Sequence, residues 1–139
     1  MLAGALVALS AAIILALGAI HLVYTFWGPK LIPRDPALEI SMRATAPVIS
    51  RETTMWKAWI GFNASHGLGA ILFGLVYGYL ALAHPGFLFQ SPFLLVVGFL
   101  LLGSYSLLAK IYWFSVPFTG ILVAFACYAV GVAVGLVNP

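Results

Sequence analysis

The chain has 139 residues, 64% hydrophobic and only 6% charged, with a formal net charge of +3. Nine charged side chains cannot coat a soluble globule of this size, where roughly a quarter of residues are charged, and the same composition excludes a disordered chain. Six basic residues are too few for a groove that tracks nucleic-acid phosphates, and a lone cysteine, Cys127, leaves no disulfide framework and no CxxC motif. What remains is an integral membrane protein.

A spanning helix needs about 20 mostly apolar residues, and four stretches supply them: 2–26, about 58–83, about 92–109 and about 116–137. Runs of this length read as helices rather than barrel strands, which alternate over about ten residues. The predicted fold is an all-α, four-transmembrane-helix bundle forming a single membrane domain over 1–139, with a short interfacial helix in its first loop. No Lys or Arg precedes position 30. The first stretch is therefore read as a retained span and not as a signal peptide, which opens on basic residues.

The polar segment 27–57 follows. It holds eight of the nine charged side chains, including all three acids, Asp35, Glu39 and Glu52. Asp35-Pro36 reads as an N-cap with Pro at the first helical position. Glu39 and Arg43 are spaced i,i+4 in the favourable order. Leu38, Met42 and Thr45 fall on one face, as in a helix lying at a membrane interface, and Pro47 ends it. Ser50 offers a second cap, so one helix of roughly 50 Å is expected from about Arg51 to Ala83. The acids set this segment apart from a purely basic topology anchor.

With four spans, Lys30, Arg34, Arg43, Arg51, Lys57 and Lys110 all lie on one side, and the other, with the termini and a turn over 84–91, holds no Lys or Arg. The positive-inside rule then puts both termini away from the cytoplasm, on the periplasmic side for a bacterial inner membrane. Trp27, Trp56, Trp59, Tyr112 and Trp113 cluster near the same basic rim, where amphipathic rings prefer to sit.

Ionisable residues inside a span are costly and face the bundle interior. His21 and His66 are two such residues, on neighbouring antiparallel helices, both in the cytoplasmic half and about 6 Å apart in depth. Each sits on a small or polar stripe: Ser10, Ile14, Gly18, His21 and Thr25 on the first helix; Asn63, His66, Gly67, Ala70, Gly74 and Gly78 on the second. Gly74-x-x-x-Gly78 allows close helix approach. The expectation is a bundle that is tight on one side and opens into a polar pocket near the basic rim. There His21 and His66 would exchange protons near neutral pH, Glu52 would pair with a histidine or polarise a water, and Asn63 and Thr54 would orient a head group. Trp59, Tyr24 and Tyr105 complete the ligand-binding candidates.

The first reading is thus a binding site for an amphipathic lipid, isoprenoid or quinone-like molecule with His-based acid–base chemistry available to it. The second is a non-catalytic subunit or assembly factor that docks, or self-associates, through Gly-rich helix faces such as Gly120, Ala124, Cys127, Gly131 and Gly135. The third is a b-type haem protein with His21 and His66 as axial ligands. No metal set and no specific cofactor is read from the residues, and the partner expected is membrane lipid, not nucleic acid.

The segment Thr53-Thr54-Met55-Trp56-Lys57-Ala58-Trp59-Ile60-Gly61-Phe62-Asn63-Ala64-Ser65-His66-Gly67-Leu68-Gly69, together with His21-Leu22-Val23-Tyr24-Thr25-Phe26, resembles the signature of a family of small, uncharacterised bacterial four-helix membrane proteins. The resemblance covers most of the chain. It implies an inner-membrane location and carries no activity. The membrane-bound eicosanoid and glutathione enzymes are similar in architecture, but their second helix sets an Arg and a Glu around an Asn, and Asn63 has neither neighbour. The sterol isomerase-like membrane fold resembles this chain only in residue types, matched by His21, Glu52, Asn63, His66 and Trp59.

Overall fold

The computed structural model of the protein describes residues 1–137 and contains, among them, helices and no strand. The helices are α1 (Leu2–Phe26), α2 (Pro36–Ala44), α3 (Met55–Ala83), α4 (Pro85–Gln90), α5 (Pro92–Tyr112) and α6 (Ser115–Val137). Four of them, α1, α3, α5 and α6, are long and apolar enough to cross a membrane. The chain is a helical-bundle integral membrane protein.

The helix boundaries follow local chemistry. At the end of α1, Trp27 N–H bonds the Val23 carbonyl at 2.8 Å, and Gly28 then turns the chain at φ +87°, a left-handed conformation that glycine adopts without steric cost. Asp35 caps α2 by accepting from Ala37 N–H at 2.9 Å, and Pro36 takes the first helical position. Ser91 Oγ accepts from Leu94 N–H at the start of α5, again just before a proline.

Two connections differ from the sequence expectation. Residues 51–54 are not helical, and α3 starts at Met55. Ser50 Oγ accepts from Glu52 N–H at 3.1 Å, Met55 N–H bonds Thr45 O at 2.8 Å, and Thr54 Oγ1 accepts from Lys57 N–H at 3.3 Å. The Thr45 carbonyl and the Thr54 hydroxyl thus take backbone donors that a longer helix would have used, and Thr54 rather than Ser50 is the cap. The 84–91 connection, expected as a turn, contains the short helix α4.

By its internal contacts the chain forms two compact units, Met1–Leu17 with Ala70–Pro139, and Gly18–Gly69. The first holds the apolar core: Val7, Ala11 and Ile14 of α1, Phe73 and Tyr77 of α3, Leu88 of α4, Leu95 and Leu102 of α5, and Ile121, Ala124 and Tyr128 of α6. Small residues set its helix spacing. A Cβ on Gly74 would lie 2.6 Å from Leu15 Cβ and 2.8 Å from the Ala11 carbonyl oxygen; one on Gly131 would lie 3.1 Å from the Ala3 carbonyl oxygen. The sides of Gly120, Gly131 and Gly135 are filled within the chain by Leu17, by Val7 with Leu6, and by Phe89. The aromatic hydroxyls are paired as an apolar surrounding demands: Tyr77 donates to Leu94 O at 2.7 Å, and fully buried Tyr128 donates to Leu95 O at 3.0 Å.

The second unit, Gly18–Gly69, comprises the last residues of α1, the 27–54 segment with α2, and the first half of α3. It carries most of the sequence-predicted site.

Candidate functional site

Gly67 brings α1 and α3 together in the second unit. A Cβ there would stand 3.2 Å from the Gly18 carbonyl oxygen and 3.5 Å from His21 Cδ2 and Leu22 Cβ. With the helices this close, the His21 and His66 rings meet edge to face, centroids 5.2 Å apart and planes at 81°. The depth difference expected from sequence is absorbed because α3 begins well before the level at which α1 ends. Thr25 Oγ1 donates to the His21 carbonyl at 2.8 Å, fastening the last turn of α1 around the histidine.

Asn63 meets the His21 ring through both its side chain and its backbone. Its Nδ2 also donates to the Trp59 carbonyl at 2.8 Å. Trp59, Asn63 and His66, spaced i, i+4 and i+7, lie on one face of α3 and climb about 10 Å from the rim to the imidazoles.

One atom in this cluster has no partner. His21 Nε2 is buried and makes no hydrogen bond within the protein. A buried polar atom left in that state costs roughly 1–3 kcal/mol. Ser10 Oγ shares the status, but a helical serine hydroxyl can turn to the carbonyl four residues back. An imidazole nitrogen aimed away from its own backbone has no such option. The site therefore offers one unsatisfied hydrogen-bonding position, next to a second imidazole and a carboxamide.

No protein-family model, no curated protein and no solved structure matches this chain. The family resemblance accordingly adds no activity, and what the site can do rests on its own geometry.

The structure brings His21, His66 and Asn63 together, with Trp59 one turn below Asn63. Thr54 caps α3 and lies 12 residues before His66, about 18 Å along the helix axis. Glu52 is exposed in the turn before that cap, so its carboxylate does not reach the imidazoles. Tyr24 is 41% exposed on the outer side of α1. Tyr105 belongs to the other compact unit, packed against its core. No cluster of three His, Cys, Asp or Glu side chains suited to a metal occurs among the described residues.

Sequence reasoning missed a groove of about 410 Å³ in the same unit, lined by Lys30, Leu31, Ile32, Pro33, Leu38, Met42 and Trp59. Trp59 Nε1 donates to the Leu31 carbonyl at 3.0 Å and closes it on one side. The local signal was the glycine–proline turn at 28–29. The contact itself spans 28 residues and has no local signature.

Proposed function

We propose that this protein binds the polar head of an amphipathic lipid, isoprenoid or quinone-like molecule at the His21–His66 pair, with Asn63 as a further hydrogen-bonding group. The observation that carries this reading is the buried, unpartnered Nε2 of His21 in edge contact with a second imidazole. A ligand oxygen there would satisfy that nitrogen, and the tail would lie against the apolar helix faces, as in most sites for such molecules. Two neighbouring imidazoles can also pass a proton between a ligand and the rim, since neutral imidazole carries one donor and one acceptor nitrogen. The ring contact weighs against the haem reading: imidazoles touching edge to face leave no slot between them for a macrocycle.

The test is retention of co-purifying amphipaths, extracted from the purified protein and quantified by mass spectrometry. His21→Phe should lower the bound amount at least tenfold while the far-ultraviolet circular dichroism melt stays near wild type, and His66→Phe should act in the same direction. Unchanged retention in both folded variants overturns the reading.

We further propose that the basic segment faces the cytoplasm of a bacterial inner membrane, with both termini periplasmic, on the strength of six Lys or Arg residues against none. Ile49 is 93% exposed in that segment. An Ile49→Cys substitution in a Cys127→Ala background should stay unlabelled by a membrane-impermeant maleimide in intact cells and react once the membrane is opened. Labelling of intact cells would reverse the assigned orientation.

A further inference from the structure

The groove beside α2 suits a lipid of one particular charge. Five of its seven lining residues, Leu31, Ile32, Pro33, Leu38 and Met42, are apolar, and Trp59 has already committed its only polar atom to Leu31. Lys30 alone brings charge to the wall. Helix α2 has no buried residue, and Leu38 on its apolar face is 51% exposed. Its cap and its Glu39–Arg43 ion pair (2.8 Å) keep it helical, and the protein leaves its apolar side partly open. An amphipathic helix in that condition lies in the head-group layer of a bilayer.

The charges of the segment are asymmetric in use. Arg43 is engaged, bonded to Glu39 and stacked 4.1 Å over the Trp56 ring. Asp35 is engaged in the α2 cap. Lys30, Arg34, Arg51 and Lys57 form no ion pair among the described residues. An apolar groove with an unneutralised ammonium at its edge, in a segment of surplus positive charge, complements a phosphodiester that bears acyl chains and no compensating cation.

We infer that this groove docks an anionic phospholipid, with its phosphate on Lys30 and the upper part of an acyl chain against Leu38, Met42 and Trp59. A zwitterionic lipid would place its own cation in a region already positive, and so binds less well. The inference goes beyond the imidazole site. Its test variants touch neither histidine, so the two proposals fail separately.

The experiment is native mass spectrometry of the full chain in detergent, titrated with phosphatidylglycerol or phosphatidylcholine of identical acyl chains. The wild type should bind one phosphatidylglycerol with at least fivefold preference. Lys30→Gln should lose about fivefold in affinity for phosphatidylglycerol, the effect of one basic residue at an anionic surface. Lys110→Gln, outside the segment, should leave that affinity unchanged. Equal binding of the two lipids by the wild type overturns the inference, as does an equal loss in Lys30→Gln and Lys110→Gln. Failure of either lipid to bind while a stoichiometric protein co-purifies overturns it in favour of a protein-docking face.

Discussion

Tyr128→Ala is expected to lower the unfolding free energy by about 3–5 kcal/mol, the range for removing a buried aromatic side chain from a packed core. Tyr128 is fully buried, within 6.5 Å (centroid to centroid) of the Phe73, Tyr77 and Phe99 rings, and donates its hydroxyl to α5. Tyr128→Phe keeps the ring and loses only an interhelical hydrogen bond, worth about 0.6 kcal/mol in membranes. The carbonyl it abandons retains its place in the α5 ladder. The Tyr128 ring also explains Gly98, where an added Cβ would meet the hydroxyl oxygen and Cζ of Tyr128 and Cε1 of Tyr77. Gly98→Ala should cost roughly 1–3 kcal/mol by overpacking, and visibly less in the Tyr128→Ala background. Titration of the folded protein with sodium dodecyl sulfate in mixed micelles, followed by circular dichroism, measures all four variants. Strict additivity of Gly98→Ala and Tyr128→Ala would show that the Tyr128 ring is not the obstacle.

The two glycines of Gly74-x-x-x-Gly78 should behave differently, although sequence treats them alike. At Gly74 an added methyl would meet a backbone carbonyl and the Leu15 Cβ at under 3 Å. Gly74→Ala should therefore push α1 and α3 apart at a cost of roughly 1–3 kcal/mol. At Gly78 the nearest atom would be Ala11 Cβ at 3.6 Å, ordinary contact. Gly78→Ala should be neutral or gain up to about 1 kcal/mol from helix propensity. The same micelle titration decides it, and equal losses at both positions would contradict the packing described.

Much of the architecture is legible in the sequence, for a physical reason. Spans are fixed by long apolar runs, and the prolines at 36, 85, 92 and 117 mark connections or first turns. The facing of His21 and His66 follows from helical periodicity alone. Ser10, Gly18, Thr25, Gly67, Ala70 and Gly74 lie on the same stripes as the histidines, and all are buried. Local competition is harder to read. Ser50 and Thr54 are both good caps, and only the structure shows that the second wins. That choice removes Glu52 from the helix and from reach of the site. Tyr105 matches the histidines in depth on a linear count, but its contacts place it with the apolar core of the other unit. The groove is the least legible feature, because it depends on Leu31 and Trp59 meeting across a long stretch of sequence.

The bond between those two residues, with the inner one from Met55 to Thr45, makes the polar segment a pair of nested closed loops. Closure entropy grows only logarithmically with loop length, so doubling such a loop adds merely about 0.6 kcal/mol. The stretch between Ala46 and Thr54 can therefore take up inserted residues cheaply, while the two knots at its base hold the approach to the membrane in register. Growth or shortening of the surface excursion is in this way uncoupled from the helices that carry the imidazoles.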